Sequence, residues 1–314
     1  MTSRELVKAA IAHRQTDRVP YNIQLTGEMC QKITAALGVT DCGAWLNNDV
    51  QDVGIPWWGW FNLGPDWSAP PTPTSYPHGI GLGNFEAILD KMKAVRDSTD
   101  KYLLVSIYGS HFEKAYFARG FENFLADMAA DYDFAKKLCQ TIIRRNLVML
   151  ELCLHADFDG VLLGSDWGSQ RGPLMSPDMW DDMIRPGEQA EYDLIHSYGK
   201  DVWVHSCGKI DPLIPRLVEM GLDVLNPLQP ECMDVAEVKA RYGSKLAFWG
   251  GISTQQTLPF GTPAEVKAEA RAVRDMLSEG GGYIFAAGQS LQDDVPVENL
   301  LAFLEAAREP RGTK

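Results

Sequence analysis

The feature that most constrains this chain is an alternation. Short, nearly unbroken apolar runs at 102–107, 160–163, 202–205, 224–228, 246–249 and 283–287 are separated by longer stretches of helical periodicity. Those stretches lie at 122–152, 176–197, 209–220, 235–242 and 263–278. A strand that is apolar at successive positions is covered on both faces, which is the condition of a buried parallel sheet. Before residue 102 the pattern predicts a helix over 3–13, a short strand over 19–24, and a helix over 27–37 that stops at Gly38. A last helix starts near Val297 and ends before Pro310.

Repeated right-handed βα crossovers give a doubly wound sheet or a closed barrel. No GxGxxG follows the first strand, which weakens the dinucleotide-binding alternative. Functional-looking residues follow several different strands, as in a barrel whose active site collects the C-terminal ends of all of them. The expected fold is therefore α/β, a single (β/α)8 TIM-type barrel over residues 1–314. One stretch departs from it: residues 45–78 hold Trp57, Trp58, Trp60, Trp67 and six prolines. A long aromatic loop on a compact scaffold serves as a lid or pocket wall, or packs as a surface excursion. Trp58 is the candidate substrate contact from it.

Bulk properties exclude some functions. The formal net charge of −13 argues against nucleic acid, whose binding rests on neutralising phosphates with Lys and Arg. No apolar run is long enough to span a membrane, and the first residues lack the apolar stretch of a secretory signal, so a cytoplasmic location is expected. The six cysteines are scattered without a CxxC pair, which argues against a disulfide framework. Cys139 and Cys153 fall in helical patterns and read as core.

The chemistry centres on Trp203-Val204-His205-Ser206-Cys207-Gly208. His205 and Cys207 stand at positions i and i+2 of a strand end, so both side chains point the same way. Imidazole nitrogen and thiolate sulfur are favoured zinc ligands, and a catalytic zinc takes three protein ligands. Asp166 and Cys232 are candidates for the third. Asp166 could equally be a general base or an N-cap, and Cys232 an inert loop thiol. Gln289 ends the last strand, but an amide is a poor zinc ligand. Asn226 and Gln229 can hydrogen-bond a polar substrate, and Trp249 precedes two glycines that let a ligand approach the backbone. Glu113 and Arg119 follow the strand at 102–107. The run from Asp193 to Gly199 resembles a DxHxxG corrinoid signature with one residue too many, and its His196 at a helix end reads as structural.

These residues together resemble the uroporphyrinogen decarboxylase superfamily. The resemblance is carried by the run from Gly164 to Leu174, by His205-Ser206-Cys207-Gly208 and by Asn226-Pro227-Leu228-Gln229. Phe248-Trp249-Gly250-Gly251-Ile252, Asp294 to Asn299, the opening Asp17-Arg18-Val19-Pro20 and Arg119-Gly120-Phe121-Glu122 fit as well. It implies a (β/α)8 barrel. True uroporphyrinogen decarboxylases carry an arginine-rich MRQAGR-type segment near the N-terminus that handles substrate carboxylates. The corresponding stretch here, Tyr21 to Glu28, has no arginine, so a porphyrinogen would lack its cationic clamp. The HxC pair points to the other branch, the zinc methyltransferases and demethylases that work with corrinoid (cobalamin-type) proteins. There the resemblance implies a later cysteine as zinc ligand near Gly288-Gln289-Ser290, where this chain has Gln289.

The resulting expectation is a zinc methyltransferase. It moves a methyl group between a small substrate, a methoxylated aromatic or a thiol, and a separate corrinoid protein. His205, Cys207, Asp166 and Cys232 are its metal candidates, and Asp166 and His205 its catalytic ones. Asn226, Gln229, Trp249, Gln289 and Trp58 are the substrate contacts. Two alternatives stand beside it: a cofactor-independent decarboxylase, and a barrel binding module that lost catalysis. A homodimer is compatible with all three.

Overall fold

The computed structural model describes residues 1–55, 85–107 and 109–312. Seven strands form one sheet: β1 Val50–Asp52, β2 Tyr102–Ile107, β3 Gly160–Gly164, β4 Asp201–His205, β5 Val224–Leu228, β6 Ala247–Ile252 and β7 Tyr283–Ala287. All pairings are parallel, and the strands lie side by side in chain order. Every residue of β3, β5, β6 and β7 is buried, as their nearly unbroken apolar sequences require. The sheet curls, consistent with a TIM-type barrel.

The strand expected at 19–24 is corrected. That segment makes isolated bridges, Tyr21 with Phe285 and Leu25 with Leu291, and not a continuous ladder. Two causes are visible. Pro20 has no N–H to donate. The Asn48 side chain, at 3.0 and 2.9 Å, takes both backbone groups of Ile23 that a neighbouring strand would have taken. The segment still lies between the two ends of the sheet. Asn22 N donates to Phe285 O on one side, and Asp49 N donates to Tyr21 O on the other. β1 itself falls inside the aromatic stretch, where three residues, Val-Gln-Asp, carry too little pattern to be read. Residues 56–78 of that stretch, Trp58 among them, lie outside the described residues.

Two long helical patterns break. The stretch 122–152 becomes helices Phe121–Ala130 and Tyr132–Leu154, split at Asp131 with φ −134° and ψ 63°. The stretch 176–197 becomes Pro177–Met183 and Arg185–Ser197, because Pro186 cannot continue an α-helical ladder. The pattern at 209–220 turns helical only at Ile214, with Pro215 in its first turn. Helices Cys42–Leu46, Phe85–Ser98 and His111–Arg119 were not expected.

Strand side chains alternate between two cores. Tyr102, Leu104, Leu162, Trp203, Trp249 and Ile284 pack together inside the curl. Their neighbours, such as Val105, Val161 and Val204, face the helices. The two tryptophans meet edge to face, with centroids 5.6 Å apart and planes at 76°. Below them Trp203 Nε1 donates to Tyr102 OH, which donates to Asp201 Oδ2. At the N-terminal end the Asp159 side chain, with no exposed surface, accepts from Arg4, Arg96 and the Leu103 backbone at 2.5–2.9 Å. Conserving that end is a matter of stability, because chemistry in such folds gathers at the opposite one. Among the described residues no helix is long and apolar enough to cross a membrane.

Gly160 tests the inner packing. A Cβ there would lie 2.3 Å from Tyr102 OH and 3.1 Å from Trp203 Nε1. Gly160→Ala is expected to destabilise the fold by about 1–3 kcal/mol, the usual range for overpacking. Urea unfolding followed by tryptophan fluorescence measures it.

Candidate active site at the C-terminal ends of the strands

His205 is the last residue of β4, and Cys207 follows two positions on. Both side chains turn into the mouth, with Cys207 Sγ 3.3 Å from His205 Nε2. Asp166 comes from the end of β3, and its Oδ1 lies 3.7 Å from the same Nε2. One ligand atom from each of the three lies within 4.8 Å of the others. The backbone holds them there. Ser165 N donates to His205 O, and Cys207 N donates to Asp166 Oδ1 at 2.9 Å. Gly208 turns the chain beside them with φ +84°, and a Cβ on it would lie 2.7 Å from the Ser169 carbonyl oxygen. Only glycine fits that position.

Asn226, the middle residue of β5, is buried beneath His205 and spends both ends of its amide on protein partners. Its Nδ2 donates to the Trp249 carbonyl at 3.1 Å, which turns its Oδ1 towards His205 Nδ1 at 2.6 Å. An oxygen there can only accept, so Nδ1 carries the hydrogen and Nε2 keeps its lone pair for the mouth. Gln289 Nε2 donates to Cys207 Sγ at 3.2 Å. Gln229 Oε1 accepts from Gly208 N at 3.0 Å. Burial, then the Asp166 carboxylate, pushes the Cys207 thiol up to about 12. Behind Asp166, Glu113 accepts from Gly109 N at 2.8 Å. Its carboxyl is raised by burial and by the Asp166 charge.

The mouth opens on a cavity of about 530 Å³. Cys207, Gln229 and Gln289 line it with three further glutamines, Gln170, Gln255 and Gln292, and with one charged residue, Asp294. Among the described lining residues there is no Arg or Lys. Trp249 is 2% exposed and donates from Nε1 to Asn22 O; it does not line this cavity but a small pocket beside it, shared with Asn226 and Gln289. Cys232 is buried beside Gln170 at 3.4 Å and is outside the trio of convergent donors. Arg119 is bound to Asp127 at 2.6 Å, away from this centre. His196 pairs with Asp223 at 2.8 Å near its helix end. The role of Asn226 was missed by the sequence reading, because only the Trp249 carbonyl decides which way its amide points.

The fold and the mouth define a parallel α/β protein of the TIM-barrel kind, with a nitrogen, a sulfur and a carboxylate oxygen convergent at its strand ends. Within that class the chain belongs to the uroporphyrinogen decarboxylase (URO-D) family, which it matches over residues 69–310. It is 26% identical over 184 residues to the uroporphyrinogen decarboxylase of Actinobacillus succinogenes, covering 58% of this chain and 50% of that one. The Cronobacter sakazakii enzyme of the same name is 30% identical over 93 residues, 30% of this chain and 25% of that one. The chain thus spans half or less of the curated relatives it matches. Among solved structures, a methyltransferase from Methanosarcina mazei superimposes with a TM-score of 0.73 at 18% identity, covering 98% of both chains. A Gloeophyllum trabeum endo-xylanase gives 0.52 at 12% identity, covering 98% and 100%. At these identities both likenesses concern the fold.

In metal-free protein the Asp166 charge opposes formation of the Cys207 thiolate. Removing that charge lowers the thiol pKa, and more thiolate means faster alkylation. Asp166→Asn is expected to speed iodoacetamide labelling of Cys207 several-fold at about pH 9. Mass spectrometry of the Cys207 peptide after timed quenching reads the rate.

Proposed function

We propose that this chain is a zinc-dependent methyltransferase that moves a methyl group between a small uncharged substrate and the cobalt of a corrinoid held by a separate protein. One observation carries the reading: His205 Nε2, Cys207 Sγ and an Asp166 oxygen converge beside a cavity walled by amides and free of Arg and Lys among its described residues. The donors suit zinc, which takes imidazole, thiolate and carboxylate together. The Nδ1–Asn226 bond is the outer-sphere contact that a metal-binding imidazole needs. The thiol is now held protonated by burial and by Asp166; a dication reverses that balance, since thiolate and carboxylate together match its charge.

Zinc bound there supplies Lewis acidity to the heteroatom that gives or takes the methyl group. The remaining work falls to the chain. Asn226 keeps the imidazole in one tautomer and one orientation. Gln289 donates to the sulfur and occupies the place of a further ligand. Asp166 carries a carboxylate beside Nε2 and can move a proton to or from a substrate heteroatom. Gln229 fixes the turn at Gly208. The glutamine walls offer hydrogen bonds to a neutral polar group. A thiol or a methoxylated aromatic meets these demands. A polycarboxylate does not, for want of a cationic clamp.

A second reading, a decarboxylase acting without a cofactor, is favoured by the names of the curated relatives. Methyl transfer to free cob(I)alamin, followed by the cobalamin spectrum with thiol, methylamine and methoxyaromatic donors, separates the two. Turnover is expected with at least one donor, together with loss of about one equivalent of zinc in Cys207→Ala. Inactivity across all donors, with carbon dioxide released from a carboxylate substrate, would put the decarboxylase in its place. Asn226→Ala is expected to weaken zinc binding about 10–100-fold while the fold persists. A competitive chelator titration measures it.

A further inference from the structure

A second convergence lies on the other side of β3. Residues of that strand alternate, so Ser165 continues the helix-facing side while Asp166 turns into the mouth. Ser165 meets Glu188 of helix Arg185–Ser197, and with Glu188 converge Glu191 of the same helix and His111, the first residue of helix His111–Arg119. The two glutamates are three positions apart and share a helix face. His111, Glu188 and Glu191 are 1%, 0% and 1% exposed. One ligand atom from each lies within 4.8 Å of the others.

The hydrogen bonds leave this group one-sided. His111 Nε2 lies 3.2 Å from the Ile184 carbonyl, which can only accept. Nε2 therefore carries the hydrogen, and Nδ1 has a lone pair. Burial holds the imidazole neutral, with its pKa pushed down to about 4. Nδ1 faces Glu188 Oε1 at 3.6 Å. Each carboxylate has one oxygen held: Ser165 Oγ donates to Glu188 Oε1 at 3.3 Å, and Asn146 Nδ2 to Glu191 Oε1 at 3.2 Å. The other oxygens, Glu188 Oε2 and Glu191 Oε2, have no hydrogen-bond partner, and neither has His111 Nδ1. The Tyr192 hydroxyl is close enough to feel both carboxylates, yet it donates to neither. Three buried polar atoms thus meet without a hydrogen-bond partner, an arrangement that costs about 1–3 kcal/mol for each group left unsatisfied.

Charge points the same way. Glu113, Glu188 and Glu191 bring three buried carboxylates, and Lys114 brings the one buried ammonium that acts on Glu113 and Glu191. As ions they would leave two negative charges over. Burial instead pushes Glu188 well above the usual carboxyl range, Glu191 up to about 7 and Lys114 down to about 7. Without a cation the carboxyls thus hold protons that a divalent ion would displace. The Nδ1–Glu188 separation is close to the ~3.4 Å edge that two ligands subtend at a tetrahedral ion with bonds of ~2.1 Å. Gly187 makes the space, since a Cβ there would lie 2.9 Å from His111 Cε1.

We propose that His111 Nδ1, Glu188 and Glu191 form a second, buried site for a divalent first-row transition ion, separate from the cavity and its sulfur ligand. The donor set is one imidazole and two carboxylates, which suits zinc, manganese or iron(II). Calcium, which takes six to eight oxygens, is excluded by the nitrogen and by the ligand number. The Ile184 carbonyl, Ser165 and Asn146 are the outer contacts that hold the ligands in place. An ion there ties helices His111–Arg119 and Arg185–Ser197 to the end of β3 and so steadies the residue before Asp166. Its role is structural.

The test is independent of the methyltransferase reading. In the His205→Ala/Cys207→Ala double variant, grown with zinc, manganese and iron supplied, elemental analysis is expected to find about one equivalent of transition metal per chain. Adding Glu188→Gln and Glu191→Gln is expected to remove it. Cobalt(II) loaded into the double variant during refolding is expected to show d–d absorption without thiolate-to-cobalt charge transfer. A double variant that is folded by circular dichroism, yet metal-free both as purified and after refolding with these ions, overturns the proposal. So does metal that survives both glutamine substitutions. A Glu188→Gln chain that loses no metal and melts at a higher temperature overturns it too, since the carboxylates are then neutralised by protons. The mouth is judged separately, by whether wild-type zinc content falls when His205 and Cys207 are removed.

Discussion

A parallel strand has to be covered on both faces, and this requirement decides where chemistry can occur in the molecule. The helices cover one face. The other is filled by the strands' own side chains, with Trp203 against Trp249 and Tyr102 beneath them. The interior is therefore a packed core and not a channel. The N-terminal end is tied down by the buried Asp159 and its arginines. What remains is the C-terminal end, where side chains leave the strands with no further layer above them. His205, Cys207, Asp166, Asn226 and Gln289 all stand there because the alternation of β3 to β7 carries them there.

The core also reaches into the chemistry. The backbone carbonyl of Trp249, a residue whose ring is buried in the inner core, accepts from Asn226. That single bond orients the amide, the amide selects the His205 tautomer, and the tautomer leaves Nε2 facing Cys207 and Asp166. The indole is held in turn by Asn22, from the segment that lies between β7 and β1. A small shift where the two ends of the sheet meet would therefore be felt at the imidazole. Packing density makes such coupling stiff, because a filled interior transmits displacement.

Much of this was written in the sequence, for reasons that differ from place to place. β2 to β7 are readable because strands buried on both sides are apolar at nearly every position. His205 and Cys207 are readable because a period of two puts them on one face. β1 is not, since three residues carry no period, and the segment at 19–24 misleads because the Asn48 side chain does a strand's work. Helix breaks at Asp131 and Pro186 interrupt patterns whose apolar spacing runs straight through them. His111, Glu188 and Glu191 were invisible, being more than seventy residues apart at the extremes and joined only by the packing of two helices on β3. Helical charges of that kind read as solvated faces until burial is known.

On the zinc reading proposed above, Gln289 standing where the resemblance implies a cysteine has a physical sense. A His–Cys–Cys set presents two negative charges to a dication. A His–Cys–Gln set presents one, and the amide, which here donates to sulfur, would have to turn round to ligate. Asp166 restores the second charge from the opposite strand end, with its Oδ1 3.7 Å from Nε2 and accepting from Cys207 N. Were zinc bound as proposed, exchanging a soft thiolate for a hard carboxylate would keep the site neutral overall and make the ion a harder Lewis acid. It also frees the β7 side of the mouth, where Gln289 lines the cavity. Under the proposed function, such a site would favour an oxygen or nitrogen heteroatom over sulfur and, of the two substrate classes, the ether of a methoxylated aromatic over a thiol.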